Sequence, residues 1–393
     1  MQKVQITGNS QRKVKDGYPL LVADDLKDPA MKLTDGSFVA LMASSQFMGY
    51  ALVAKHRRQL GWVLSRDEAE TPTQDYFRKL FKQALVRRVR EFDPQLPQRV
   101  FNADGDGLGG LTIDRYQDYY VFTWYAQGVY QQREMLYAAF EAASDHQFKG
   151  IYAKLRFNVE EANLKSQLVT GTAAPEPLLV TEGAVTYPLH LADDLTTGLL
   201  LDMRPIRQWL AGAELPGKTV LNLFSQENGI TAAAAVAGAA KTISIETNQK
   251  GASATADQLA VNNVDPDKHE IRVIEVPNYL DYAQKHRLSY DVVAVTAPTF
   301  ARVKKQKFQV ATDLTDLLTA TLPVVRRQGH LIVATSAANF SMKKFKAAVS
   351  AAFVGSDRHY RLEETYRLPA DFVTRKAYLA SNYLKVLVLS LDD

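Results

Sequence analysis

Between Thr219 and Glu246 the chain reads TVLNLFSQENGITAAAAVAGAAKTISIE. An apolar run ends in a short polar turn with Gly229, an alanine-rich helical stretch follows, and a second apolar run closes on an acid. Parallel strands need a crossover, most often a helix, so the segment predicts a β-turn-α-β unit and commits this part of the chain to an α/β layer fold. Turns of this kind lay backbone N–H groups against a nucleotide-like ligand, and an acid roughly 20 residues on accepts hydrogen bonds from ribose hydroxyls. A nucleoside cofactor is therefore the first expectation. The turn SQENG is not GxGxxG, so the dinucleotide form of the unit is not supported.

The same alternation extends outward. From about Gly183 the runs VLNLF, TISIE, IRVIEV, DVVAVT and HLIVATS each precede a helix-like segment, which predicts a parallel sheet covered on both faces. Two more β-like runs, HYRLEETYRL and YLKVLVLSL, predict a terminal antiparallel hairpin. Upstream the pattern differs. The runs GSFVALMAS, FMGYALVAKH and LGWVLS, broken by DG and GY turns, read as a small β-rich unit. Helical spacing then joins Phe77, Leu80, Phe81, Ala84, Leu85 and Val89, with Thr73 as cap and an end near Phe92. A hairpin within RVFNADGDGLGGLTIDRYQDYYVFTWYA, a helix over Gln131 to Ala143 and the strand GIYAKLRF complete a central α+β unit, and Gly171 to Pro177 reads as a linker. At 393 residues, two or three domains are expected. The boundaries read as 1–72, 73–182 and 183–393.

Composition removes several classes of function. With 46% hydrophobic and 23% charged residues the chain is of ordinary globular type. No stretch has the uninterrupted apolar length of a membrane span, and MQKVQITGNSQRK lacks the apolar core of a signal peptide, so the expected location is the cytoplasm, with no membrane partner. Cysteine is absent, which removes disulfides, thiolate metal sites and cysteine nucleophiles. The seven histidines form no HxxxH or HExxH pair, and no metal is expected. The DGDG stretch resembles a calcium loop, but counting from Asp104 the twelfth position is Arg115 instead of a bidentate Glu, so it reads as a turn. The balance of 47 basic against 43 acidic residues permits a nucleic-acid partner without requiring one. Candidate phosphate contacts are Lys55, Arg57 and Arg58, the stripe Arg78, Lys79, Lys82, Arg87, Arg88 and Arg90, and the cluster Arg302, Lys304, Lys305 and Lys307.

Four segments then occur together: FNADGDGLGGLTIDRY, TGLLLDMR from Thr197 to Arg204, VLNLF from Val220 and APTFAR from Ala297. In these, and over nearly its whole length, the chain resembles the bacterial 23S ribosomal RNA large-subunit methyltransferase I family, S-adenosylmethionine-dependent cytosine-C5 enzymes with an N-terminal PUA domain. The terminal hairpin is also more typical of methyltransferase sheets than of dinucleotide dehydrogenases. The resemblance implies a C-terminal Rossmann-like class I methyltransferase domain behind a PUA-like RNA-binding domain and a central α+β domain. It implies S-adenosyl-L-methionine as cofactor, ribosomal RNA as partner and a homodimer as one assembly.

Mapped onto this sequence, the resemblance implies a cofactor wall of Asn222, Phe224, Ser225, Gln226, Gly229, Glu246, Thr247, Glu275 and Val276. Glu246 takes the ribose role; Glu275 stands where the family has an adenine-contacting Asp, and Val276 beside it is placed to stack on the base. Where the family usually has Ser-Tyr-Thr-Gly-Gly, this chain has Ser225, Gln226, Glu227, Asn228 and Gly229. Glu227 brings a carboxylate toward the cofactor's own, and like charges repel. Thr197, Gly198, Asp202, Arg204, Thr299, Phe300 and Arg302 fall on the substrate side, with Phe300 suited to stacking on an extruded base. The catalytic positions are Thr296, Pro298 and Ser336. Thr296 replaces the Asp of an Asp-Pro-Pro segment and offers a hydroxyl with no planar carbonyl. Ser336 replaces the family cysteine. Addition to cytosine C6 uses a thiolate, and a serine hydroxyl needs an adjacent base to act in its place. Two functions stay open: an S-adenosylmethionine-dependent RNA methyltransferase that does not use cysteine-based C5 chemistry, and a non-catalytic RNA-binding or ribosome-associated protein on the same scaffold.

Overall fold

The computed structural model describes residues 1–392 except 92, 94, 159–164, 194, 226–228 and 304–305. The chain forms two compact units. Unit 1 comprises Met1–Val180, His190–Thr197 and Ala370–Ser381; unit 2 comprises Thr181–Leu189, Gly198–Pro369 and Asn382–Asp393.

Unit 1 holds two five-stranded sheets. In the first the spatial order is Gln2–Gln5, Phe38–Ala43, Gln46–His56, Gln59–Val63, Leu20–Val22. A helix over Gly8–Lys15 accompanies it, although GNSQRKVK holds a single apolar side chain, Val14. Capping explains it: Thr7 accepts a hydrogen bond from Ser10 N, and the buried Asp25 accepts from Ser10 Oγ at 2.7 Å and from Lys13 at 3.0 Å. The second sheet runs Ser166–Gly171, Gly150–Leu155, Tyr119–Trp124, Leu111–Tyr116, Gln98–Asn102. Helix Gln74–Glu91 shares its aromatic core, in which Trp62, Phe77, Phe81, Phe101, Phe122, Trp124 and Phe140 are buried together. Thr73 caps this helix through Tyr76 N at 3.4 Å. Arg88 is not part of a solvated basic stripe: it is buried, makes two 2.7 Å bonds to the Asp106 carboxylate, and donates to Asp371 O at 2.7 Å.

Unit 2 is built on one seven-stranded sheet: β1 (Thr219–Leu223), β2 (Lys241–Glu246), β3 (His269–Val273), β4 (Tyr290–Thr296), β5 (Val325–Thr335), β6 (Tyr360–Tyr366) and β7 (Lys385–Leu391). Their spatial order is β3-β2-β1-β4-β5-β7-β6. Strands β1 to β5 are parallel, and β7 runs antiparallel between β5 and β6. Val220, Leu221, Val293, Val295, Leu331 and Val333 are all wholly buried, as strands covered on both faces require. The connections reverse direction between β1 and β4, so a crevice opens at the carboxyl ends of these two strands, where open α/β sheets bind their ligands.

Candidate functional site

At the end of β1 the chain turns sharply. Phe224 adopts φ +60°, a left-handed backbone that bulky residues seldom take, and Ser225 N donates to Ile245 O of β2 at 3.2 Å. Below the turn, Asn222 Nδ2 donates to Ser225 Oγ at 2.9 Å and to Thr231 Oγ1 at 3.0 Å, and Thr231 bonds Ser244 at 2.6 Å. This buried chain fixes strand, turn and helix Ile230–Val236 to one another. Gly229 precedes that helix at φ +72°. A Cβ there would lie 2.8 Å from the Tyr187 ring, 3.0 Å from Arg207 Cδ and 3.0 Å from Leu199, so both conformation and space demand glycine.

Arg207, which touches Gly229, is wholly buried. It donates to both Glu182 oxygens at 2.9 and 2.8 Å and to Leu200 O at 2.8 Å, with its guanidinium 5.6 Å from the Tyr187 ring. Arg204 Nε is 3.3 Å from the same carboxylate. Burial pushes the Glu182 carboxyl up, but Arg207 and Arg204 outweigh it and the net shift is downward, so the pair stays ionised.

Glu246 sits at the carboxyl end of β2 with 0% exposure; its Oε1 accepts from Thr255 Oγ1 at 2.7 Å. A Cβ at Gly251 would come within 2.5 Å of Oε2, so glycine is what leaves that oxygen its room. A carboxylate held by a hydroxyl at the tip of the second strand, beside a glycine that yields space, fits the diol of a nucleoside cofactor. Thr247 is exposed next to it. Glu275 precedes helix Val276–Lys285 and accepts from Asn278 Nδ2 at 3.3 Å, whereas Val276 is packed into the core. Gln226, like Glu227, lies outside the described residues.

On the other side of the crevice, Thr296 Oγ1 donates to Leu223 O at 3.1 Å and Phe224 O at 2.8 Å, tying the tip of β4 to the turn after β1. Pro298 is half-buried and Thr299 exposed. Phe300, 51% exposed, begins an antiparallel hairpin of Phe300–Val303 with Gln306–Gln309, and Phe308 on its return strand lies 6.2 Å from the Phe224 ring. The Arg302 side chain and the pair Lys304 and Lys305 lie outside the described residues. Ser336 follows β5, half-buried. Asp202 accepts from Tyr383 OH at 3.1 Å, and Gly198 O accepts from Gln258 Nε2 at 2.8 Å.

The structure thus gathers the tips of β1 to β5 along one edge of the sheet. Two expected substrate-side residues are engaged elsewhere: Arg204 in the buried pair with Glu182, and Thr197 in unit 1, bonded to Tyr116 OH at 2.9 Å. Glu182, Tyr187, Arg207 and Lys385 were not singled out by sequence reasoning. The signal for Lys385 was a lone cation opening the apolar run KVLVLSL. Elsewhere, in unit 1, ligand atoms of Glu176, His190 and Asp193 lie within 4.8 Å of one another; the first and third are exposed, and Glu176 already contacts His190.

Residues 137–367 match the family model of S-adenosylmethionine-dependent methyltransferases, and residues 4–66 match that of the PUA-like domain. The chain belongs to the S-adenosylmethionine-dependent methyltransferase family. Among similar proteins is YwbD of Bacillus subtilis, described as a candidate ribosomal RNA large subunit methyltransferase, 34% identical over 96% of each chain. Ribosomal RNA large subunit methyltransferase I of Aliivibrio fischeri is 28% identical over 82% of each. A crystal structure of SMU.776, described as a candidate methyltransferase complexed with SAH, superposes with TM-score 0.90 at 32% identity, covering 99% of this chain and 100% of that one. The expected fold class, a methyltransferase α/β fold with a PUA-like domain at its N-terminal side, is the one found, and the expected cofactor is the family's. Among the described residues no helix is long and apolar enough to cross a membrane.

Proposed function

We propose that this protein transfers a methyl group from S-adenosylmethionine to large-subunit ribosomal RNA, at an acceptor atom nucleophilic enough to need no covalent enzyme adduct. The observation that carries the reading is Glu246, an ionisable acid at the tip of β2 beside the β1–β4 crevice in a sheet of this strand order. Phe224, Ser225, Gly229, Glu246, Thr247 and Glu275 would hold the cofactor, with Val276 as packed floor and Asn222 as the support beneath; Gln226 is proposed to join them. When bound, the cofactor supplies an electrophilic methyl group on a sulfonium.

The acceptor class follows from the opposite wall. The chain has no cysteine, and Ser336 has no ionised form near neutral pH to add to a pyrimidine ring. The Thr296 hydroxyl is spent on two carbonyls. An exocyclic amine, a ring nitrogen or a hydroxyl carries its own lone pair and needs no such addition. Phe300 would stack on the extruded base, and Arg302 and Lys307 would meet the flanking phosphates. In this reading residues 1–72 form the PUA-like domain, 73–182 the central domain and 183–393 the methyltransferase domain, the protein works in the cytoplasm, and a homodimer is its proposed assembly.

The same two substitutions favour the second reading, RNA binding without transfer. Calorimetric titration with S-adenosylhomocysteine, joined to mass spectrometry of ribosomal nucleosides from a deletion strain, separates the two. Micromolar binding and a methylated nucleoside that vanishes on deletion are expected. Absence of binding at millimolar concentration would sink the methyltransferase reading, and binding without a lost nucleoside would favour the second.

A further inference from the structure

Lys385 opens β7 and pairs in register with Thr335, the last residue of β5. Its side chain is 1% exposed, and among the described residues no carboxylate pairs with it. Instead its ammonium donates to two main-chain carbonyls, Ala337 O at 2.8 Å and Tyr383 O. Burying an unpaired cation is expensive, and proteins rarely keep one without use. What this one spans is specific. Ala337 follows Ser336 in the segment leaving β5, and Tyr383 is the residue whose hydroxyl donates to Asp202. One amine therefore joins the two backbones that carry Ser336 and the partner of Asp202.

We propose that Lys385 is a positioning residue for the substrate side of the site, fixing the Ser336–Phe340 segment against Tyr383 and, through its hydroxyl, Asp202. The inference rests on the methyltransferase reading for its functional meaning, but the clamp itself is a property of unit 2. An ammonium has three N–H donors, of which two are used here, and charge-assisted bonds are roughly twice as strong as neutral ones. Loss of the proton would loosen the clamp without removing it.

Burial pushes the Lys385 ammonium down to about 8, and the charge of Arg367 adds to the effect. Among the described residues, the other groups around it are uncharged or indirect. On β5 the paired position is Thr335; from β6 the neighbouring strand brings Tyr366, opposite Val386, followed by Arg367, whose guanidinium is held by Asn382. Asp202 meets the cluster through the Tyr383 hydroxyl. The clamp is therefore poised to weaken just above neutral pH.

Hydrogen exchange on the full chain tests this, with peptides covering Ser336–Phe340 and Asn382–Leu384 followed at pH 7 and pH 9 after correction for intrinsic rates. The wild type is expected to show a severalfold rise in exchange between the two pH values, Lys385→Met the faster exchange already at pH 7, and Lys385→Arg slow exchange at both. On the same preparations Lys385→Met should lose about tenfold in RNA methylation with S-adenosylhomocysteine affinity unchanged. If Lys385→Met exchanges like the wild type at pH 7, or exchange in the wild type does not change with pH, the proposal is overturned. Should Lys385→Met fail to fold, the pH step of the wild type and its absence in Lys385→Arg decide the matter. A wild type that does not bind S-adenosylhomocysteine refutes the methyltransferase reading, while the exchange result still decides the clamp.

Discussion

At the scale of single residues, the turn after β1 depends on one glycine and one buried ion pair. Gly229→Ala would force a Cβ into a left-handed backbone and against Tyr187, Arg207 and Leu199. The backbone alone costs about 1–2 kcal/mol and the crowding adds to it. Urea unfolding is expected to show a loss of about 2 kcal/mol or more, with weakened S-adenosylhomocysteine binding. Arg207→Met leaves Glu182 buried with only the longer contact to Arg204, and removing one partner of such a pair costs roughly 3 kcal/mol. The folded-state shift of Glu182 is downward, so its stabilisation is present above the unfolded carboxyl value and lost as pH falls through the folded one. The variant's deficit should therefore narrow in acid. Lys385 acts in the opposite sense: with a folded value of about 8 against 10.5, the unfolded chain holds a proton that the folded chain has released. Wild-type stability relative to Lys385→Met should rise between about pH 8 and pH 10.5 and stay flat below, as read by urea midpoints across that range. The global gain and the local loosening of the clamp have different readouts and do not conflict.

At the scale of elements, the proposed substrate contact is the hairpin after β4. Phe300 stands half-exposed on one strand while Phe308 on the other leans toward Phe224, so the aromatic face stays outside while its support is packed. Base–aromatic stacking is worth about 1–3 kcal/mol, so Phe300→Ala should weaken binding to the ribosomal RNA target roughly tenfold without changing S-adenosylhomocysteine affinity, a split measurable by filter binding and calorimetry. Much of the element pattern was legible in the sequence. The runs VLNLF, TISIE, IRVIEV, DVVAVT and HLIVATS are β1 to β5, and the last two runs pair as β6 and β7; central strands such as β1, β4 and β5, buried on both faces, leave continuous apolar signatures, while β6 is an exposed edge. Other elements were hidden for physical reasons. Helix Gly8–Lys15 has one apolar side chain and is set by Thr7 and Asp25, and Arg88 reads as a surface cation because its partners, Asp106 and Asp371, are distant in sequence. The same long-range pairing concealed Glu182 with Arg207 and Lys385 with Ala337. Positions at strand tips could be placed by counting along the unit from Thr219 to Glu246, but what each side chain touches depended on residues from other elements.

At the scale of the whole molecule, each unit draws on stretches far apart in sequence. Residues 370–381 return to unit 1, where Asp371 takes hydrogen bonds from Arg88 and Arg99 and Phe372 lies 4.4 Å beneath the Arg99 guanidinium. Residues 382–391 then return to unit 2 to form β7. A chain stopped after Pro369 would lack the strand between β5 and β6 and one of the acceptors for Arg88, Asp371 O. It is expected to lose the cooperative unfolding of both units and to be cleaved throughout by low concentrations of protease, where the full chain resists. The position of β7 also bears on synthesis. Translation delivers every other strand of both units first, so the nascent chain emerges with the flank of β5 open and Arg88 still short of its bond to Asp371 O. Unpaired strand edges invite wrong partners, so slow translation or chaperone capture over this interval should govern how much of the protein reaches its native state.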